Sequence, residues 1–223
     1  MAPRYLESEY YTRNALLIYT DDEPRFYHDA RLLYKALTQL GMSVYTGKLA
    51  TDGKGQTSLA DFPVWAKEHD GKGNQLVLAY CGHGGVKHGR LMIAGGNDLT
   101  SLQEYLRDHC EADALTILHT CYAGTALGVS RSNNLFRNER VVEALAICNG
   151  RTIGRGHDNT SRWLERLTRI MACIEPGDAM SVKQISSVLR RRRRVGKMDF
   201  LGNQGFYRRE SGRGSMQMMN ISG

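Results

Sequence analysis

The stretch QLVLAYCGHGG, Gln75 to Gly85, passes from a continuous apolar run directly into a histidine flanked by glycines. Short apolar runs of this kind are typical of strands that are buried on both faces of a parallel sheet. The imidazole of His83 then stands at the end of a buried strand. Either it is part of a plain turn, or it reaches a partner beyond the sheet.

Apolar runs and helical periodicities alternate on both sides of this strand. Buried strands are predicted at 14–19, 114–120 and 141–148, a further strand at 42–46, a small hairpin or extension at 89–95 and a last edge strand at 205–209. Amphipathic helices are predicted at 25–41, 58–74 with a kink at Pro63, 98–110, 160–174 and 181–191. Because strands that alternate with helices form parallel sheets, we predict an α/β fold with a mostly parallel central sheet and helices on both faces.

The composition is that of one large globular domain. The chain has 223 residues, of which 41% are hydrophobic and 24% charged, and this length can bury a substantial core. No apolar run approaches the ~20 residues that span a bilayer, and no secretory signal is evident at the N-terminus, so a cytoplasmic protein is expected. We predict an N-terminal tail at 1–13, the domain at 14–210 with a mobile linker at about 124–140, and a C-terminal tail at 211–223.

Cysteine spacing and charge restrict the possible partners. The five cysteines include no CxxC pair, which disfavours a zinc cage or a disulfide framework. The net charge is +7, with a basic run from Arg190 to Arg194. Such a run can bind nucleic acid or an acidic membrane, or it can be a solvated helix end; the second interpretation is favoured because no aromatic residues interleave the arginines.

A second strand end supplies a partner for His83. Cys121 follows the predicted strand at 114–120, within HTCYAG. If the two strands are neighbours, the imidazole can take the thiol proton and so produce a nucleophile for acyl transfer. The amides of Gly84 and Cys121 could hold the oxyanion of a tetrahedral intermediate, and Gly82 and Gly85 leave room for a peptide. Taken alone, the Gly-His-Gly motif could be a plain turn, and Cys121 could be an inert buried thiol.

The two motifs in this order resemble the caspase-like cysteine peptidases, which include caspases, metacaspases and their fungal and bacterial relatives. The resemblance covers about Asn14 to Arg209 and is nearest to the fungal and bacterial domains. It implies a three-layer caspase-like sandwich, His83 as the proton-transfer partner and Cys121 as the nucleophile. It also implies an endopeptidase that cleaves protein substrates through an acyl-enzyme, in regulated cell death or defence.

The resemblance places a substrate pocket beside these residues. Metacaspases use an acid two residues before the cysteine, where this chain has His119, and an acid in the first helix, here Asp29. Caspases use two arginines, and Arg25 and Arg155 lie near their places. Cys81 is assigned to the same pocket. An acidic or a basic preference before the cut stays open.

Two other functions compete with the peptidase. The replacement of an acid by His119 motivates an inactive caspase-like interaction module, and the run Arg190 to Arg194 motivates a nucleic-acid-binding domain. No cofactor or metal is predicted. The resemblance to metacaspases suggests a calcium requirement, but the sequence has no loop dense in carboxylates that would support one. The expected partners are a protein or peptide substrate and regulatory domains or proteins. A monomer and a homodimer are both open.

Overall fold

The structure, a computed structural model, describes residues 10–20, 22–49, 59–125, 140–147, 157–191, 206–211 and 216–220. Its strands are β1 (Arg13–Thr20), β2 (Ser43–Leu49), β3 (Gln75–Cys81), β4 (Gly84–Lys87), β5 (Arg90–Ile93), β6 (Asn97–Asp98), β7 (Asp113–His119), β8 (Val142–Ala146), β9 (Ala179–Ser181), β10 (Phe206–Ser211) and β11 (Gln217–Met219). Its α-helices are α1 (Pro24–Gln39), α2 (Phe62–Glu68), α3 (Leu99–His109), α4 (His157–Ala172) and α5 (Val182–Arg191).

A six-stranded sheet forms the centre of the molecule, in the order β10-β8-β7-β3-β1-β2. Five strands are parallel, and β10 pairs antiparallel with β8 as an edge strand. All seven residues of β3 are buried, which agrees with a strand covered on both faces. The predicted α/β fold with a mostly parallel sheet is confirmed.

Helices cover both faces of this sheet. The chain moves from β1 to β2 in one direction and then through β3 to β7 and β8 in the other. Because parallel crossovers are right-handed, α1 lies on one face and α2 and α3 lie on the opposite face. α4 packs against α1, and α5 packs against α4. The chain therefore leaves β1 toward one face and β3 toward the other, which opens a crevice between the carboxyl ends of these strands.

The start of α5 is capped by side chains, whereas the N-cap residues of α1 and α2 make no side-chain cap hydrogen bond. Ser181 and Gln184 form a capping box at the start of α5: the backbone N–H of Gln184 donates to the Ser181 hydroxyl oxygen over 3.2 Å, and the backbone N–H of Ser181 donates to Oε1 of Gln184 over 2.8 Å. The predicted kink at Pro63 is wrong. Pro63 lies in the first turn of α2, where its missing N–H costs no hydrogen bond.

The domain extends beyond both predicted boundaries. Tyr10, in the expected N-terminal tail, is buried, and its hydroxyl group donates to Asp113 over 2.8 Å. In the expected C-terminal tail, β11 pairs with β9, and Met216 and Met218 are buried. Neither segment is long or periodic enough to predict from sequence, because its place depends on pairing with residues that are distant in the chain.

Several predictions fall partly or wholly outside the described residues. These are the mobile linker from residue 126 to 139, the pocket residue Arg155 and the basic run from Arg192 onward. At the end of the linker, Arg140 is buried, and its guanidinium donates to the Leu106 carbonyl oxygen over 2.8 Å. Within the described part of the chain, every helix is too short or too polar to traverse a lipid bilayer.

Candidate active site

The carboxyl ends of β3 and β7 carry the two predicted catalytic side chains. These strands are parallel neighbours, and Cys81 at the end of β3 pairs in register with His119 at the end of β7. The ladder continues one step further, because the Gly82 N–H donates to the His119 carbonyl oxygen over 3.2 Å. His83 and Cys121 each stand two residues beyond the registered pair, so their loops open at the same edge of the sheet.

The two loops touch at Gly84. A Cβ atom at this position would lie 2.3 Å from Oγ1 of Thr120 and 2.7 Å from the Cys121 carbonyl oxygen. Only a glycine allows the backbone of one loop to approach the other so closely. At Gly85, by contrast, a Cβ atom would meet nothing within 4 Å. The contact brings the Gly84 backbone directly beside the backbone of Cys121.

Cys121 is presented by a sharp turn. Tyr122 has a φ of 56°, in the left-handed region, and a short 3-10 helix at Ala123–Thr125 follows at once. The Thr125 N–H closes this turn on the Tyr122 carbonyl oxygen over 2.8 Å. A left-handed conformation costs a residue other than glycine roughly 1–2 kcal/mol, and such strain is concentrated at functional sites. The turn leaves Cys121 partly exposed at the edge of the sheet.

The loop of His83 is fixed on its main chain and on its side chain. The buried Tyr80 hydroxyl group donates to the His83 carbonyl oxygen over 2.7 Å. The imidazole is half exposed, and its Nε2 lies 2.7 Å from Oε1 of Glu23 and 3.4 Å from Oδ2 of Asp22. Phe26 meets it edge-on, with ring centroids 4.9 Å apart and planes at 82°. The β1–α1 connection therefore supplies the contacts that orient the imidazole.

The thiol and the imidazole are not hydrogen-bonded to each other in this conformation. The polar contacts of the imidazole within the described residues are those of Nε2 with the two carboxylates, and Sγ of Cys121 has no hydrogen bond there. Catalytic hydrogen bonds are often long or misaligned without substrate. The backbone contact at Gly84 keeps the two side chains in adjoining loops.

A buried polar cluster lies beneath this edge of the sheet. The side chains of Asp29 and His119 are each 1% exposed, and Oδ2 of the carboxylate lies 3.4 Å from Nδ1 of the imidazole. The His119 ring stacks on Trp163 of α4, with centroids 6.1 Å apart and planes 11° from parallel. Burial raises the pKa of the Cys81 thiol well above its usual range, and the nearby Asp29 carboxylate adds to this. Cys81 therefore remains a neutral thiol.

Three of the five predicted pocket residues lie together, Arg25 lies apart from them, and Arg155 is outside the described residues. The structure brings Asp29, Cys81 and His119 together in the buried cluster. It places Arg25 elsewhere: its Nε lies 2.6 Å from Oε2 of Glu23, and its guanidinium lies 4.7 Å above the Phe26 ring. The structure shows where these residues lie, and their roles in substrate binding stay predictions.

Several residues at this edge are not anticipated by the sequence motifs. They are Asp22, Glu23, Phe26, Tyr80, Thr120 and Trp163. The acidic run DDE before Pro24 is a visible signal, since it follows a buried strand at the edge where His83 is expected. Tyr80 and Trp163 read as core residues of a strand and a helix, and only the fold shows their polar neighbours. No group of three histidine, cysteine or acidic side chains within the described ranges could hold a metal ion.

Comparison with known proteins supports the fold. No family model matches the chain, and no curated protein matches it in sequence. Among solved structures it is similar to a Geobacter sulfurreducens protein determined by structural genomics, at 15% identity and a TM-score of 0.59, over 92% of this chain and 95% of that one. It is also similar to the Drosophila initiator caspase Dronc, at 11% identity and a TM-score of 0.57, over 88% of this chain and 78% of that one.

These similarities extend over nearly the whole domain. The chain therefore has a caspase-like fold, as the resemblance of its motifs implies. At such low identity the likeness concerns the fold alone, and unrelated activities can share one fold. The geometry at the ends of β3 and β7 is what bears on the function.

Proposed function

We propose that this protein is a cysteine endopeptidase in which Cys121 is the nucleophile and His83 its proton-transfer partner. The observation that supports this most is the in-register pairing of β3 with β7, together with the backbone contact at Gly84. A partly exposed thiol and a half-exposed imidazole then occupy adjoining loops at the edge where parallel α/β proteins carry their chemistry.

The reaction proceeds by acyl transfer. Nδ1 of His83 accepts the proton of the Cys121 thiol, and the sulfur attacks the carbonyl carbon of the peptide. The amides of Gly84 and Cys121 donate to the oxyanion of the tetrahedral intermediate. As the C–N bond breaks, the imidazolium returns the proton to the leaving amine and a thioester remains. Water, deprotonated by the same imidazole, hydrolyses the thioester and restores the thiol.

Incubation with a peptide library and mass spectrometric mapping of the new termini tests this function. We expect cleavage by the wild-type chain, with or without added calcium, and its loss in Cys121→Ala and in His83→Ala. Cys173, an exposed thiol after α4, supplies the matched control: Cys173→Ala should cleave like wild type. The residue before each cut also reports whether the pocket prefers an acidic or a basic side chain.

The competing function is a caspase-like interaction module without turnover. The observation that favours it is the imidazole of His83, which is engaged by two carboxylates and not by the thiol. A wild-type chain that leaves the whole library intact in calcium and in chelator, as Cys121→Ala does, would exclude the peptidase and support the module.

A further inference from the structure

The acidic turn after β1 lies against the predicted catalytic histidine. β1 and β3 are parallel neighbours, with Tyr19 in register with Cys81. The chain that leaves β1 therefore passes beside the chain that leaves β3, across the crevice where the two crossovers diverge. Glu23 approaches the imidazole of His83 to 2.7 Å, within hydrogen-bond distance, and Asp22 remains at 3.4 Å.

Glu23 is itself held in place from its other oxygen. Oε1 faces Nε2 of His83, and Oε2 lies 2.6 Å from Nε of Arg25. The guanidinium of Arg25 lies over the ring of Phe26. The Phe26 ring also contacts the imidazole of His83 in an edge-to-face arrangement. Phe26 is buried in α1, so this ring gives the network a rigid base. The imidazole is thus fixed by a carboxylate on one nitrogen and by an aromatic side chain on its flank.

We propose that Glu23 is the positioning residue of His83, and that Arg25 acts by holding Glu23 and not by binding substrate. This rests on the proposed function, in which His83 takes the thiol proton. A carboxylate that accepts a hydrogen bond from Nε2–H selects the tautomer with its hydrogen on Nε2. Nδ1 then carries the lone pair that accepts the thiol proton. The same carboxylate stabilises the imidazolium that forms when Cys121 is deprotonated.

Steady-state kinetics of Glu23→Gln, with Asp22→Asn as the matched loss of a neighbouring charge, test the positioning role. Glu23→Gln should lower kcat by about 10- to 100-fold with little change in KM, as loss of the hydrogen-bond partners that orient metal-binding histidines does. Asp22→Asn should lower kcat less than about threefold, because its carboxylate lies beyond good hydrogen-bond distance. Equal losses in the two variants, or no loss in Glu23→Gln, would overturn the proposal while leaving the peptidase intact.

A second measurement does not depend on peptidase activity. In a Cys121→Ala chain with ¹⁵N-labelled histidine, NMR correlations in alkaline buffer report the tautomer of the His83 ring. We expect a single tautomer with hydrogen on Nε2, and a mixture of tautomers after Glu23→Ala is added. A mixture already present before that substitution, or the Nδ1–H form, would contradict the positioning role even if the protein proves not to be an enzyme.

The role of Arg25 can be separated from substrate binding by comparing substrates. If Arg25 holds Glu23, Arg25→Gln lowers kcat by a similar factor for peptides with acidic, basic or neutral residues before the cut. If Arg25 instead binds the substrate side chain, the same variant raises KM selectively for peptides with an acidic residue there. The second result would return Arg25 to the substrate pocket and remove it from this proposal.

Discussion

Single residues decide how closely the two loops of the candidate site can approach each other. A Cβ atom at Gly84 would overlap Oγ1 of Thr120 and the carbonyl oxygen of Cys121, and a Cβ atom at Gly82 would overlap the Tyr80 hydroxyl oxygen at 2.5 Å. The close approach of these neighbouring atoms requires a glycine at both positions. Gly85 has open space around it and carries no such requirement.

Gly84→Ala should therefore damage the site, and Gly85→Ala should not. Forcing a methyl group into the contact at Gly84 has to move one loop and should cost about 1–3 kcal/mol of unfolding free energy. Peptidase activity should fall by about 100-fold, because a displacement of about 1 Å at a catalytic group has this effect. Thermal unfolding and peptide cleavage measure both. If Gly84→Ala behaves like Gly85→Ala in the two assays, the loops do not need their close contact.

At the residue scale, the sequence predicts the two candidate catalytic residues better than it predicts the residues that contact them. The motifs around His83 and Cys121 are visible because each follows an apolar strand. The distinction between Gly84 and Gly85 is not visible, since it depends on Thr120 in another loop. The contact of Arg25 with Glu23 is likewise hidden: the sequence shows two oppositely charged residues near a helix start, and only the fold shows that His83 completes the group.

At the scale of elements, a small antiparallel sheet extends the loop that contains His83. β4, β5 and β6 follow His83 directly, and they are anchored to α3 through Arg90. The guanidinium of Arg90 pairs with Asp98 and lies 2.6 Å from Glu104. Asp98 also caps α3 by accepting the Ser101 N–H over 3.2 Å. Asp98 thus joins the small sheet to the start of a helix that packs on the main sheet.

The two roles of Asp98 can be separated by substitution and pH. Burial alone would raise the pKa of Asp98, but hydrogen bonds from Arg90 and Ser101 outweigh it and hold the pKa below its ordinary value. A carboxyl group with a lowered folded-state pKa stabilises the fold above its unfolded pKa, and this contribution is lost as the pH falls through the folded value. Asp98→Asn, which keeps a capping side chain, should therefore be less stable than wild type at pH 7 and approach it near pH 3.

Chemical denaturation of wild type, Asp98→Asn and Asp98→Ala at pH 7 and pH 3 measures these effects. Asp98→Ala should lose about 1 kcal/mol more than Asp98→Asn at both pH values, because it also removes the cap. A gap between wild type and Asp98→Asn that is the same at both pH values would show that the ion pair with Arg90 contributes nothing.

Element types are predictable here because strands and helices have distinct periodicities. The buried runs locate β1, β3, β7 and β8, and the order of strands and helices implies the parallel sheet. The exceptions are short elements such as β9 and β11. β11 has three residues, and its register is determined by β9 and by the burial of Met218. Such elements carry little local signal, so sequence reasoning assigns them to loops and tails.

At the scale of the whole molecule, the sheet order joins the separate observations into one site. β1, β3 and β7 are consecutive neighbours in the sheet although they are separated along the chain. Their carboxyl ends therefore bring Glu23, His83 and Cys121 to one edge. Similarity to Dronc supports the same caspase-like architecture. Whether this edge cuts peptides depends on the chemistry of one thiol and one imidazole.

The reactivity of Cys121 relative to Cys173 in the same chain tests that chemistry most directly. An ordinary thiol is mostly protonated at pH 6.5 and reacts slowly. Limited alkylation with iodoacetamide at this pH, followed by peptide mass spectrometry, compares the two sulfurs under identical conditions. We predict that Cys121 is alkylated at least about tenfold faster than Cys173 and that His83→Ala removes the difference. Equal rates in the wild-type chain, or an advantage of Cys121 that survives His83→Ala, would contradict activation of Cys121 by His83.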